Sequence, residues 1–410
     1  MPRLSRRRIW LFLAIIGPGL VTANVDNDAG GIATYSIAGA SFGYKLLWTL
    51  IPMTLALIIV QEMCARMGAV TGKGLADLIR ERFGVKITFF AMIGLLIANF
   101  GTTVSEFAGV GASMELFGVS KYISVPLGVV LVWWLVLKGS YKVVERVFLF
   151  LCLIYFCYVP SGIMANPPWG EVMRQLVIPH FSLDSQYLTI LLGVIGTTIA
   201  PWMQFYIQSA VVEKGITAKD YGYSRLDVIF GCCMTDFIAM FIIVACAATL
   251  YTHSIQIDSA EAAAMALAPL AGKWASYLFA VGLLNASIFA AAILPIGTAF
   301  FICEAFGLEA GIDKSWEEAP VFYWLFTLLI ILGAGFVLIP NASLMKIMLW
   351  PQVINGALLP FVLIFMVKLI NNKDLMGEYT NNWGYNILTY ITIGIIILIT
   401  LLMLFSSITF

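Results

Sequence analysis

The feature that most constrains this chain is a succession of apolar segments, each about 20 residues long, separated by charged or Gly/Pro-rich turns. A helix needs about 20 mostly apolar residues to cross the hydrocarbon layer of a bilayer. Cutting the chain at its charge clusters and turns predicts eleven such helices. They lie near 9–40, 44–68, 87–117, 122–137, 143–165, 184–213, 224–251, 272–305, 319–340, 344–370 and 385–408.

The composition excludes a water-soluble fold. Of the 410 residues, 61% are hydrophobic and only 11% are charged, whereas soluble proteins have roughly 25% charged residues. No polar stretch is long enough for a soluble domain, so residues 1–410 are predicted to form a single all-α transmembrane domain in the lipid bilayer. The formal net charge is zero, which offers no basic surface to nucleic acid. Nothing in the sequence indicates an obligate protein partner.

Lysine and arginine predict the orientation of the chain, because they are enriched in cytoplasmic loops. With the N-terminus inside, 18 of these residues fall on the inner side and five on the outer side. We therefore expect a multi-pass protein of the cell membrane, with its N-terminus cytoplasmic and its C-terminus extracellular. Termini on opposite faces agree with an odd number of helices.

Two of the predicted helices are interrupted at membrane depth. The first contains polar residues and two glycines in 24–31, and the sixth contains Gly, Thr and Pro in 196–202. Backbone groups released from a helix are tolerated at this depth only where they are buried in protein or line a cavity. Interruptions at matching places predict an inverted repeat of five plus five helices around a central binding site. The repeats would span about 9–165 and 184–370, with an extra helix near 385–408.

The first interruption places two carboxylates, Asp26 and Asp28, inside the membrane. Each costs about 2.5–3.5 kcal/mol at the bilayer centre on insertion scales, and two residues two positions apart do not share a helical face. Asp28 is the stronger candidate for a cation ligand, because a carboxylate beside freed carbonyls suits a hard cation. A structural alternative is that such an aspartate only caps a half-helix.

Other polar residues in apolar surroundings extend this candidate site. Pro201 has no N–H, so the carbonyl of Thr197 loses its helical partner and becomes a candidate ligand. Gln352 and Asn355 share one face of a helix and would either help to coordinate the cation or tie two helices together. Glu106 is isolated in an apolar run and would act as a proton carrier, as a gate residue or as a neutral structural carboxyl.

Several chemistries lack support in the sequence. It contains no His/Cys metal cluster, nucleophile elbow, phosphate-binding loop or redox motif, so we predict neither an enzyme nor a bound cofactor. An intramembrane enzyme would need a nucleophile and a base at helical spacing. The divalent ion, Mg²⁺ or Mn²⁺, is expected as the transported substrate.

Several stretches resemble the NRAMP family of divalent-metal transporters. The matching stretches are 17–19, 28–34 and 38–48 in the first helices, 70–73 after the second helix, and 196–201 in the sixth helix. The resemblance implies the LeuT-type fold, with a metal held between the unwound parts of helices 1 and 6.

The departures from the family pattern point to a different ion preference. The family motif Asp-Pro-Gly-Asn is replaced by 28–31 with the sequence Asp-Ala-Gly-Gly, so Gly31 stands where the family has an Asn ligand. The motif Met-Pro-His is replaced by Ala200, Pro201 and Trp202. Sulfur favours softer ions, and Mg²⁺ normally keeps several waters, so this pattern resembles the divergent NRAMP-related magnesium transporters.

The resemblance also implies roles for individual positions. Asp28 corresponds to the family's aspartate ligand, and Gln352 corresponds to the glutamine of helix 10. The carbonyls of Val25 and Thr197 correspond to the two backbone carbonyls that hold the metal in the family. Glu106 takes the helix 3 glutamate, and Thr103 replaces an aspartate one turn before it.

The expected function is import of Mg²⁺, and also of Mn²⁺, as a partly hydrated ion by alternating access without proton coupling. The main alternative is a proton-coupled importer of Mn²⁺ or Fe²⁺. A sodium-coupled amino-acid transporter of the same fold is disfavoured because Asp28 would repel the substrate carboxylate. A channel is a further alternative, and it would differ from a transporter in needing no alternating gates.

Overall fold

The computed structural model describes residues 27–138, 156–312, 314–340 and 342–409, and within them the chain is helical with no β-strand. Short 3₁₀ turns connect some of the α-helices. The helices are α1 (Ala29–Phe42), α2 (Leu50–Thr71), α3 (Leu75–Phe83), α4 (Val85–Glu115), α5 (Lys121–Lys138), α6 (Tyr158–Met164), α7 (Trp169–Val177), α8 (Ser185–Thr198), α9 (Pro201–Glu213), α10 (Tyr221–Thr249), α11 (Ala260–Ala264), α12 (Ala268–Ala271), α13 (Ala275–Phe306), α14 (Pro320–Val337), α15 (Leu344–Ile370), α16 (Lys373–Met376) and α17 (Trp383–Thr409).

Within the described residues, eight helical stretches are long and apolar enough to cross a membrane. They coincide with eight of the predicted segments, and the shorter apolar helix Lys121–Leu137 coincides with a ninth, near 122–137. The predicted segments 9–40 and 143–165 lie partly outside the described residues, which retain α1 and α6. The membrane-spanning architecture is confirmed, and the count of eleven helices stays a prediction, as do the repeat boundaries.

Helix ends in this chain follow from local sequence. Gly72, with φ of +64°, ends α2 and donates its N–H to the carbonyl of Gly68 at 2.9 Å, as expected for glycine in the left-handed region. The side chain of Asp184 caps the start of α8 by accepting the N–H of Tyr187 at 3.0 Å. These two devices fix the end of α2 and the start of α8.

The long helix α4 lies at the centre of the packing, against α1, α13, α14 and α15. Small residues allow this close approach, as is usual between membrane helices. A methyl group added at Gly109 would lie 2.5 Å from Cβ of Ala29 and 2.2 Å from Oγ of Ser287. The start of α1 is therefore held directly against the middle of α4.

Candidate metal site at the start of α1

Asp28 is the N-cap of α1. Its Oδ1 accepts the backbone N–H of Gly31 at 2.6 Å, and the residue is only 4% exposed. Aspartate is a preferred N-cap, because its carboxylate satisfies an N–H that has no partner within the helix and lies at the positive end of the helix dipole. The helix start thus stabilises a negative charge at a depth where such a charge is otherwise costly.

A second carboxyl group, from Glu106 of α4, meets the same helix start. Its Oε2 accepts the N–H of Ala29 at 3.2 Å and the side chain is fully buried, so the carboxyl groups of Asp28 and Glu106 accept N–H groups of the same helix turn. Two adjacent buried carboxylates repel each other unless a proton or a cation accompanies them. The pair is therefore a place where positive charge is required.

Two carboxamides from α15 complete one side of the site. Asn355 donates from Nδ2 to Oε1 of Gln352 at 3.2 Å and to Oγ1 of Thr102 at 3.1 Å. Gln352 lies against the backbone of Gly30, since a methyl group there would be 1.9 Å from Nε2 of Gln352 and 3.1 Å from Oγ of Ser105. The predicted pair on α15 therefore reaches the first turn of α1.

The second interruption separates α8 from α9 at Ile199 and Ala200. Ile199 has φ −124° and ψ 59°, outside the helical region, and Ala200 is extended as the N-cap of α9. Pro201 follows at the first helical position, so the carbonyl of Thr197 receives no N–H from the residue four positions on. The break predicted near 196–202 is confirmed at these residues.

The start of α1 and the break between α8 and α9 share a wall with α15. The hydroxyls of Tyr35 and Thr198 lie 2.7 Å apart. A methyl group at Gly196 would lie 1.9 Å from the backbone oxygen of Gln352 and 2.2 Å from the backbone nitrogen of Gly356. The end of α8 thus packs on α1 through side chains and on α15 through backbone.

Residues 19–406 match the family model of natural resistance-associated macrophage protein-like (Nramp) proteins. The chain belongs to this family. Its members are membrane transporters rather than enzymes.

Curated relatives of this Nramp protein cover almost its whole length. It is 27% identical to the divalent metal cation transporter MntH of Deinococcus radiodurans, over 97% of this chain and 89% of that protein. It is 28% identical to the divalent metal cation transporter MntH 1 of Pseudomonas aeruginosa, over 95% and 90% of the respective chains.

Solved structures show the same fold. A crystal structure of the Eremococcus coleocola manganese transporter matches with a TM-score of 0.79 at 23% identity, covering 99% of this chain and 88% of that chain. MhsT in complex with L-phenylalanine matches with a TM-score of 0.60 at 14% identity, covering 95% and 98%. The expected LeuT-type fold is confirmed.

Within this Nramp chain, Ala200 and Trp202 lie at the break between α8 and α9. Ala200 contributes a methyl group, and Trp202 is buried in the first turn of α9 with its ring edge-on to Tyr206, at 6.0 Å between centroids. The sulfur of Met203 accepts a hydrogen bond from Nε2 of Gln61 at 3.8 Å. Among the residues that the structure describes, no three His, Cys, Asp or Glu side chains are grouped to hold a metal.

The structure thus brings together most of the residues singled out from the sequence. Around the start of α1 lie Asp28, Gly31, Glu106, Gln352 and Asn355. Thr197, Ala200 and Trp202 lie at the neighbouring break. Val25 and Asp26 fall outside the described residues. The ligand roles of all these residues stay predictions.

Sequence reasoning missed several residues that support the site. Rotating the carboxamide of Gln204 lets its nitrogen donate to the carbonyls of Ala200 at 2.6 Å and Pro201 at 3.1 Å. This caps backbone groups at the break. The sequence signal that could have identified Gln204 is a glutamine one turn after a proline in an apolar helix. The supporting roles of Thr102 and Ser105 depend on contacts with α15, which the local sequence does not encode.

Asp236 of α10 is a further buried carboxylate, and its hydrogen-bond partner lies on α2. Its Oδ2 accepts the hydroxyl of Thr54 at 2.6 Å, and it is 4% exposed. The preceding residue, Thr235, accepts a hydrogen bond from Nδ2 of Asn27 at 2.8 Å. Asp236 thereby links α10 to α2.

Proposed function

We propose that this protein imports Mg²⁺, and also Mn²⁺, across the cell membrane as a partly hydrated ion by alternating access. The proposed ligands are the carboxylate of Asp28, the backbone carbonyls of Val25 and Thr197, and the amide of Gln352, with Asn355 beside it. The N-terminus lies in the cytoplasm and the C-terminus outside, because 18 of the 23 Lys and Arg residues then fall on the inner side.

The observation that carries the proposal is the buried carboxylate of Asp28 at the start of α1, where the amide of Gln352 lies against the backbone of Gly30. Mg²⁺ is typically bound by one or two carboxylates and retains several waters. A thioether or an imidazole would favour transition metals, and the corresponding positions hold Ala200 and Trp202. The small side chains of Gly31 and Ala200 leave room for water on the ion.

A proton is not needed to drive this import. The membrane potential supplies about 4.6 kcal/mol per 100 mV to a doubly charged ion, twice the single-charge value. His180 and His253 lie in the loops before α8 and after α10, away from the candidate site. Thr103, which stands where the family has an aspartate one turn before the helix 3 glutamate, carries no titratable group. It packs against Gly333 of α14, where an added methyl group would lie 3.1 Å from Cγ2 of Thr103.

The second candidate is a proton-coupled importer of Mn²⁺ or Fe²⁺. It is favoured by the placement of the carboxyl groups of Asp28 and Glu106, which accept N–H groups of the same helix turn, because two neighbouring buried carboxyl groups can share a proton. It also agrees with the names of the relatives, which include divalent metal cation transporters and a manganese transporter.

Uptake by proteoliposomes distinguishes the two candidates. Purified protein is reconstituted with a pH-sensitive dye inside, the membrane potential is clamped, and uptake of Mg²⁺, Mn²⁺ and Ca²⁺ is compared with that of empty liposomes. We expect saturable Mg²⁺ and Mn²⁺ uptake without metal-dependent acidification. Proton influx that requires metal and vanishes in Glu106→Gln would establish the second candidate instead.

A further inference from the structure

The carboxamide of Gln352 turns its nitrogen, rather than its oxygen, toward the start of α1. A cation needs the lone pairs of an oxygen, whereas an amide nitrogen only donates hydrogen bonds. In the structure, Oε1 of Gln352 is occupied by Nδ2 of Asn355 at 3.2 Å, and Nε2 lies over Gly30. Coordination by this side chain therefore requires its amide to turn.

The hydrogen bonds left unmade around the two carboxamides show how the amide can turn. Within the described residues, Nε2 of Gln352 and Oδ1 of Asn355 have no hydrogen-bond partner, although both atoms are buried. If both amides rotate by half a turn, Nε2 of Gln352 can donate to Oδ1 of Asn355. This joint rotation pairs both atoms, takes Nδ2 of Asn355 away from its two present acceptors, and leaves Oε1 of Gln352 facing the site.

Thr102 of α4 is compatible with either arrangement. Its hydroxyl accepts from Nδ2 of Asn355 at 3.1 Å and donates to the carbonyl of Ala98 at 3.2 Å. A hydroxyl is both a donor and an acceptor with a single proton, so after the rotation this proton can turn from the carbonyl of Ala98 to Oδ1 of Asn355. Because Thr102 is buried on a helix that crosses the site, it fixes where the amide of Asn355 lies while leaving its orientation free.

We propose that Asn355 is a positioning residue that makes Gln352 a switchable ligand. Without the ion, Asn355 holds the oxygen of Gln352 and leaves the amide N–H facing α1. With the ion, Asn355 accepts that N–H and the oxygen of Gln352 coordinates the cation or one of its waters. This inference rests on the proposed function, because it takes the start of α1 as the ion site.

A double-mutant cycle tests this role. The readout is equilibrium binding of Mg²⁺ and of Mn²⁺ to the purified full-length protein, which does not depend on transport. We expect Asn355→Ala to weaken binding by about three- to tenfold, and Gln352→Ala to weaken it at least as much. Residues in direct contact are non-additive in such cycles, so the double variant should bind no more weakly than Gln352→Ala.

Two further variants guard against a general loss of structure. Thr102→Val removes only the hydroxyl, so it should weaken binding less than Asn355→Ala and should have no effect in the Gln352→Ala background. Asn99→Ala removes a buried amide that bonds Thr298 at 2.8 Å and should leave binding unchanged, with thermal unfolding as the check on folding.

The outcomes separate this inference from the proposed function. Equal weakening by Asn355→Ala in both backgrounds, or no weakening in either, overturns the positioning role. Absence of saturable metal binding to the wild-type protein overturns both proposals. If wild-type protein binds metal saturably but its proteoliposomes take up none, only the proposal of transport is contradicted. The double-mutant cycle then still decides whether Asn355 positions Gln352.

Discussion

Two buried aspartates of this protein, Asp28 and Asp236, are equally exposed, at 4%, but lie in opposite helical contexts. Asp28 caps the start of α1, where it accepts the N–H of Gly31, and Glu106 accepts the N–H of Ala29 in the same turn. Asp236 lies in the middle of α10 and accepts the hydroxyl of Thr54.

The difference between them comes from the backbone. The first N–H groups of a helix have no intrahelical partner, whereas those in its interior are bonded to carbonyls one turn earlier. The start of α1 can therefore stabilise a carboxylate through N–H donors and the helix dipole, which leaves lone pairs for a cation. Asp236 has no such donors from its own helix, so its carboxyl group serves to join α10 to α2.

The largest expected effect follows from removing the carboxylate at the helix start. Asp28→Ala should reduce Mg²⁺ uptake by proteoliposomes by more than about a hundredfold, beyond the 10–100-fold typical of residues that only support metal ligands. Folding should persist, because the variant removes a costly membrane carboxylate. Uptake at the wild-type rate by a folded Asp28→Ala protein would exclude this site, and an equal loss in Asp26→Asn would mean that both aspartates bind.

A smaller effect is expected from crowding the amide beside Asp28. In Gly30→Ala the new methyl group would lie 1.9 Å from Nε2 of Gln352, so this flexible side chain must move away. The KM for Mg²⁺ should rise by about tenfold, the scale of a lost supporting contact in a metal site. Gly94→Ala is the matched control, because a methyl group there meets nothing within 4 Å, and a similar rise in that variant would contradict the role of Gln352.

Ion preference should shift when the family's ligands are restored. In the double variant Gly31→Asn with Ala200→Met, the cavity shrinks and gains a soft sulfur and a neutral amide, so Mg²⁺ uptake should fall more than Mn²⁺ uptake. The ratio of the two initial rates is the measurement. A folded, active double variant with an unchanged ratio would place selectivity elsewhere.

The smallest effect is expected at the other aspartate. Asp236→Asn retains an oxygen that can accept the hydroxyl of Thr54, so Mg²⁺ uptake should stay within about twofold and the free energy of unfolding should change by about 1 kcal/mol. Transport and thermal unfolding are measured on the same preparation. If this variant loses transport as completely as Asp28→Ala, helical context does not distinguish the two carboxylates.

Much of the architecture could be predicted because the bilayer imposes simple rules on sequence. Segment length, glycine and proline punctuation, and isolated polar residues predicted the helices and the break beside Pro201. Asp28 and Glu106 stand out for the same reason, since a carboxyl group in an apolar run is costly unless it has a role.

The contacts between helices could not be predicted in the same way. The bonds from Asn355 to Thr102 and from Tyr35 to Thr198 join residues far apart in the chain. They depend on which helix faces which, and no local pattern encodes this. The short helices α7, α11 and α12 were also missed, because the search for apolar segments of spanning length passes over them.

The backbone contact between α8 and α15 determines which parts of this protein can move independently. A methyl group at Gly356 would lie 2.4 Å from the carbonyl oxygen of Leu192, as close an approach as the one at Gly196. Sliding between packed helices is absorbed by side chains that change rotamer, whereas at Gly196 the three nearest atoms of α15 are all backbone atoms. We therefore expect α8 and α15 to move as one unit, so that a shift of this unit away from α1 would also move Gln352 away from Gly30.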